Sequence, residues 1–265
     1  QPHREPVSQA LPPPPNAKVW ETFTQNLPDS NPDTSWFKLL NTGKDTLIDR
    51  LALIDSAKVS IDAQYFLWLE DGVGSLLFER LLAAADRGVR VRLLLDDSFI
   101  SGEDDTVLTF SAHPNIELRI YNPFDIRSNN LTLRYAKNIN DYSRINHRMH
   151  NKLLIADETV AIVGGRNIAD EYFGFGEKLN LRDFDLLTAG AIMPELSDAF
   201  DLFWNSDWAL PAAEVEQQPA VIEELATLKL ELRKRAAKLD PWQLQYQTFN
   251  RSWSAFWKEQ ASAMI

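Results

Sequence analysis

Two apolar runs joined by one amphipathic segment constrain this 265-residue chain most. Residues 59–68 read VSIDAQYFLW, rich in β-formers and largely apolar. Residues 89–95 read VRVRLLL and end on Asp96 and Asp97. Runs of this composition suit strands buried on both faces. Between them, Leu76, Leu77, Leu81, Leu82 and Ala85 fall at helical spacing and stop at Gly88. Strand, helix and strand in that order imply a right-handed crossover between parallel strands. A parallel pair needs helices on both faces, so the expected class is α/β.

The same reading divides the rest. A short strand is expected at 35–40 and a helix at 45–57, where Leu47, Leu51, Leu53 and Ile54 can share a face. Further strands are expected at 116–121 and 182–189, and a helix at 194–208. Residues 149–156 and 159–163 flank Asp157 and Glu158 as a β-hairpin, with a helix beginning at 167. Residues 1–35 are Pro-rich and too polar to fold alone, so they are expected to be a flexible lead-in. Residues 36–210 form the expected catalytic domain. Residues 211–265 are expected to hold an acidic linker and amphipathic helices. Trp242, Tyr246, Phe249, Trp253, Phe256 and Trp257 fall on one helical face there, expected to pack on a partner domain rather than lie in a membrane interface.

Composition removes several chemistries. There is no cysteine, so disulfides and thiolate catalysis are absent. The four histidines lack zinc-ligand spacing, and no metal is expected. The net charge of −11 disfavours a general nucleic-acid binder. Between Ile126 and Lys152, however, six Lys or Arg stand against one acid, Asp141. That stretch is expected to contact phosphate or an anionic membrane surface.

One pattern carries the chemistry. His150, Lys152, Asp157, Gly164, Gly165 and Asn167 spell H-x-K-x4-D-x6-G-G-x-N. In a strand, residues two apart point the same way, so His150 and Lys152 share a face. Asp157 is an odd number of residues from His150 and stands at the hairpin turn, so its carboxylate is expected to be structural. Gly164 and Gly165 permit close backbone approach, and the Asn167 amide can donate beyond them. An imidazole can attack phosphorus or protonate a leaving alkoxide, while a lysine and an amide hold the non-bridging oxygens. A neutral nucleophilic histidine needs a carboxylate on its other nitrogen. Asp183 and Asp185 are the two candidates.

With these residues in view, the chain resembles the phospholipase D superfamily, and within it the N-terminal half of bacterial cardiolipin synthases of the synthase C type. The likeness runs through Gln64–Trp68 (QYFLW), 85–97 (ADRGVRVRLLLDD), His113-Pro114-Asn115-Ile116, Tyr121-Asn122-Pro123-Phe124, 147–152 (HRMHNK), 164–168 (GGRNI), Glu171-Tyr172-Phe173 and Phe203-Trp204-Asn205-Ser206. It covers roughly residues 35–210. It implies a phospholipase D fold, a mixed β-sheet sandwiched between α-helices, here with a helical C-terminal extension. It implies cofactor- and metal-independent phosphatidyl transfer through a phosphohistidine, with phosphatidylglycerol as one substrate and phosphatidylethanolamine or more phosphatidylglycerol as the other. By match of motif, His150 is the catalytic histidine, Lys152, Asn167 and Gly165 serve the phosphate, Asp157 completes the motif, and Asp183 orients the histidine, with Asp185 second.

The departure is that such enzymes carry two H-x-K-x4-D motifs and this chain has one. The expectation is a partner half, supplied in cis by a longer enzyme or in trans by a second copy. A bacterial cell-envelope location with peripheral membrane association follows from the lipid substrates. Two other readings stand beside it: a homodimeric single-motif phosphodiesterase or nuclease, and a non-catalytic membrane-binding module.

Overall fold

Eight strands form one mixed sheet among the residues that the computed structural model describes, which are 7–29, 31–99, 104–125, 144, 146–239 and 253–265. In chain order they are β1 (Ser35–Leu40), β2 (Ser60–Tyr65), β3 (Arg90–Asp96), β4 (Ile116–Tyr121), β5 (Leu153–Ala156), β6 (Val160–Gly164), β7 (Asp185–Gly190) and β8 (Ala209–Pro211). Across the sheet the order is β1-β7-β6-β5-β2-β3-β4-β8. β2, β3 and β4 run parallel, and the other neighbours pair antiparallel.

The crossover read from sequence is β2, then α3 (Gly72–Asp86), then β3, with Ser60 opposite Arg90 and Tyr65 opposite Leu95. Asp71 caps α3 by accepting from Gly74 N. Thr42 does the same at α2 (Gly43–Ser56), accepting from Asp45 N. Alternation along the strands then divides the core. Ile61, Ala63, Val91, Leu93, Leu154 and Ile162 face α2 and α3. Leu94, Leu153, Ile155 and Ala161 face Met193, Phe200 and Trp204 of α6 (Met193–Trp204). The sheet is therefore sandwiched between helices, as the resemblance implied. The remaining helices are α1 (Lys18–Thr24), α4 (Asp104–Phe110), α5 (Asp170–Phe173), α7 (Ala212–Glu216), α8 (Leu225–Ala236) and α9 (Trp253–Ser262).

Both ends of the chain depart from the expected boundaries. Of the lead-in, residues 7–29 are docked rather than free. Arg92 Nη1 donates to Ser8 O at 2.9 Å, and Ala10 N donates to Asp201 Oδ2 at 3.0 Å. Val19, Trp20 and Phe23 of α1 are buried. α1 packs on α9, where the Trp20 and Trp257 ring centroids stand 5.4 Å apart. A seven-residue helix has too little periodicity to announce itself and forms because it packs. At the other end, Ile265 and Phe37 exchange backbone hydrogen bonds at 2.9 Å. Residues 253–265 thus belong to this domain. Trp253, Phe256 and Trp257 pack against this domain's own core and α1 rather than on a partner domain, while Trp242, Tyr246 and Phe249 lie outside the described residues. The linker expected from 211 begins as β8, which pairs with β4 through Arg119 and Pro211, and continues as α7. Backbone pairing over three residues needs no side-chain pattern, so sequence could not show it.

Candidate active site

His150 and Lys152 stand where the β2–β5 ladder stops. The last pair is Gln64 with Leu153, so β5 starts three residues after His150 rather than at 149. The β2 chain leaves the ladder because it is drawn to the Gly-Gly turn. Leu67 N donates to Asn167 Oδ1 at 3.1 Å, and Leu69 N donates to Ile168 O at 2.9 Å. His150 and Lys152 still share a face in the extended run before β5. Lys152 Nζ lies 3.0 Å from His150 Nδ1 and also donates to the His150 carbonyl. An ammonium has donors only, so Nδ1 accepts and the imidazole proton sits on Nε2.

Phe66 lies against both. Its ring centroid is 4.7 Å from that of His150, and Lys152 Nζ lies 5.3 Å from its centre. The histidine is exposed and the lysine is buried. Burial, on the face that Phe66 covers, pushes the His150 imidazole below its ordinary value. The Lys152 charge adds to that effect, and Asp96 opposes both. Burial also lowers Lys152, against the pull of Asp183 and Asp96. The imidazole is therefore mostly neutral at pH 7, as a nucleophile must be.

Asp96 fixes the approach to the pair and escaped the sequence reading. Its carboxylate accepts from Met149 N at 2.9 Å, Ser98 N at 2.9 Å and Arg148 Nη1 at 3.1 Å. The signal was present: Asp96 and Phe66 both stand at the C-terminal ends of adjacent parallel strands, where α/β sheets place their sites.

The other candidates divide between the site and its frame. Asn167 is buried and its amide is oriented at both ends, with Nδ2 donating to Tyr172 OH at 3.0 Å. That leaves one Nδ2 hydrogen for a ligand. Gly165 is required by Asp183: a β-carbon built there would lie 2.2 Å from Asp183 Oδ1. The Asp183 carboxylate caps Phe184 N at 2.8 Å, and its charge reaches Lys152. Among the described residues, Asp183 makes no hydrogen bond to His150. Asp185 lies in the frame, fully buried. Arg50 Nη1 is 3.0 Å from it, Thr46 Oγ1 donates at 2.9 Å, and Arg166 N donates at 3.2 Å. Burial works to raise this carboxyl, but Arg50, Thr46 and Arg166 outweigh it and hold it below the usual range. Asp157 is in the frame as well, at the β5–β6 turn with a left-handed φ of 53°. It accepts from Trp20 Nε1 at 2.6 Å and from the backbone N–H of Lys58, Val59 and Ser60 at 2.7–2.9 Å. The five-residue path from Lys152 puts it about 16 Å away, at ~3.3 Å per residue. Of the basic stretch, Arg127, Arg134 and Lys137 lie outside the described residues, while Arg144 pairs with Asp125 at 3.0 Å.

A sheet with helices on both faces, an H-x-K pair at a strand end and a Gly-Gly-x-Asn turn beside it define a phospholipase D-type domain. The chain belongs to the family described as cardiolipin synthase, phospholipase D-like domain, whose model matches residues 51–204. It is 43% identical over 180 residues to cardiolipin synthase C of Escherichia coli K12, covering 68% of this chain and 37% of that one. It is 29% identical over 153 residues to a cardiolipin synthase of Oceanobacillus iheyensis, covering 57% and 29% of the two chains. The chain thus spans little more than a third of the length of the first of these relatives. In fold it is similar to phosphatidylserine synthase of Haemophilus influenzae Rd KW20, with a TM-score of 0.51 at 17% identity, over 83% of this chain and 48% of that one.

Proposed function

We propose that this domain carries one half of a phosphatidyltransferase site that makes cardiolipin from phosphatidylglycerol. One observation carries the reading: an exposed histidine and a buried lysine touch at 3.0 Å, beside an asparagine whose amide is already oriented. Family membership supports a phospholipid as the substrate. Lys152 and the free Asn167 hydrogen hold the non-bridging phosphate oxygens and stabilise their charge in the transition state. His150 Nε2 attacks phosphorus, and the bond from phosphorus to the leaving glycerol oxygen breaks. The leaving alkoxide takes a proton from a second imidazole, supplied by another H-x-K half. A free hydroxyl of the acceptor lipid then attacks phosphorus, the bond from phosphorus to Nε2 breaks, and the hydroxyl proton passes back to the second imidazole. The domain works at the bacterial cell envelope, peripherally on a membrane surface.

Attack through Nε2 requires the proton on Nδ1, opposite to the tautomer that Lys152 imposes. When Lys152 turns to a phosphate oxygen, Nδ1 is released to donate to a carboxylate. Asp183, at Gly165 and already coupled to Lys152, is the carboxylate that receives it.

The test is conversion of phosphatidylglycerol vesicles, followed by mass spectrometry of the lipids. Conversion is expected only with a second H-x-K half present, and His150→Ala is expected to lower it at least ~10³-fold. Because His150 is lowered, the rate should be lost as pH falls through a midpoint below the ordinary histidine value of about 6.5. Conversion by a strictly monomeric single-motif chain would sink the two-half mechanism. Cleavage of single-stranded DNA in place of lipid would favour the nuclease reading.

A further inference from the structure

We propose that Phe66 is a positioning residue for the His150–Lys152 pair, its ring setting the plane of the imidazole and the seat of the ammonium. The inference rests on the phosphatidyltransferase reading for its rate arm alone.

Three contacts close a triangle. The Phe66 and His150 rings meet at 4.7 Å with planes 47° apart. Lys152 Nζ sits 5.3 Å from the centre of the Phe66 ring. Lys152 Nζ in turn lies 3.0 Å from His150 Nδ1. A phenyl face attracts an ammonium through its quadrupole and offers an imidazole a tilted stacking surface. An aliphatic side chain of similar volume offers neither.

The backbone that carries the ring is anchored on both sides. Tyr65 points to the opposite face of β2, where its hydroxyl accepts from Arg50 Nε at 3.2 Å. Arg50 is the guanidinium that pairs with Asp185 beneath the Gly-Gly turn. Leu67, on the other side, holds Asn167 through its backbone N–H. Three consecutive residues at the end of β2 thus reach the Asp185 frame, the His150–Lys152 pair and the Asn167 amide. Phe66 is the member of the three that touches the reacting imidazole. Its contact leaves Lys152 free to move from Nδ1 to a phosphate while the imidazole keeps its orientation.

The test uses the full chain labelled with ¹⁵N-histidine. The His150 signal is assigned by its loss in His150→Ala, and its titration is followed in Phe66→Leu and Phe66→Tyr. Besides Phe66, the groups that act on this pair are Asp96 and Asp183. Phe66→Leu removes the seat of Lys152 and lets water reach the imidazole, so the His150 midpoint should rise by about 0.5. Phe66→Tyr keeps the ring and should hold the midpoint near the parent. In the enzyme completed with its second half, Phe66→Leu should lower kcat roughly 10–100-fold with KM little changed, because misplacement of a reacting group acts on kcat. Thermal melts of both variants confirm that the fold is retained. An unmoved midpoint in Phe66→Leu, an equal shift in both variants, or a moved midpoint with parental kcat overturns the proposal. Should the completed parent transfer no phosphatidyl group, the functional reading falls and the titration alone decides the role of Phe66.

Discussion

At the scale of single residues, the motif separates into groups that the proposed mechanism sets against a phosphate and groups that hold the backbone. His150, Lys152 and Asn167 belong to the first. Asp157 belongs to the second, and its environment fixes the consequence of losing it. Four N–H donors converge on one buried carboxylate. Asp157→Ala leaves them all unpaired, at about 1–3 kcal/mol for each donor that water cannot reach. The expected loss in a denaturant melt is therefore ~3 kcal/mol or more, with the His150 titration unmoved. A shifted His150 midpoint in a still-folded variant would return Asp157 to the reactive site. This division was legible beforehand for a plain reason: strand parity put His150 and Lys152 on one face and Asp157 at a turn. What parity could not supply was the partner of Nδ1. A nucleophilic imidazole needs a carboxylate, which points to the 182–185 stretch, yet Lys152 holds that position. Asp96 and Phe66 were missed because each reads as the end of an apolar strand, and only pairing brings those ends to residues 148–152.

At the scale of elements, legibility followed length. Helices α2, α3 and α6 and the strands β2, β3 and β4 have enough periodicity or apolar content to be read directly. The short pieces α1 and β8 do not, and with α9, whose aromatic spacing is legible, they close the domain. α1 and α9 meet across ring contacts among Trp20, Phe23 and Trp257, and Trp257 Nε1 donates to Ser56 Oγ of α2 at 2.9 Å. Trp20 in turn is a donor to Asp157. The two terminal helices therefore brace the turn at the end of β5 remote from His150. Trp257 is fully buried, so Trp257→Ala opens a cavity beneath both helices and is expected to cost about 3–5 kcal/mol. Limited proteolysis should then cut within residues 7–29 and 253–265 before it cuts the sheet. Protection equal to the parent would show that α1 docks without α9.

At the scale of the whole molecule, the decisive feature is where the His150 face lies. β2, β3 and β5 bring Phe66, Asp96 and His150 to one end of the sheet. The imidazole there is exposed, and Phe184, next to Asp183, is 57% exposed. The phosphohistidine mechanism proposed above would have to exclude water, so it predicts that these exposed groups are covered during transfer. The second H-x-K half proposed above is expected to cover them. Histidine modification by diethyl pyrocarbonate measures this directly, because the reagent needs a neutral, accessible imidazole. In the single chain His150 should react fast, and His113, 8% exposed and within 3.3 Å of Asp86, should react slowly. Adding the second half should slow His150 at least ~10-fold and leave His113 unchanged. The covering half needs no lipid for this, so protection should appear without vesicles and persist in a Lys152→Met variant that cannot hold phosphate. If the completed enzyme converts phosphatidylglycerol while His150 stays as reactive as in the single chain, the two halves do not meet over this face. The acid that protonates the leaving group would then have to come from the lipid surface or from solvent.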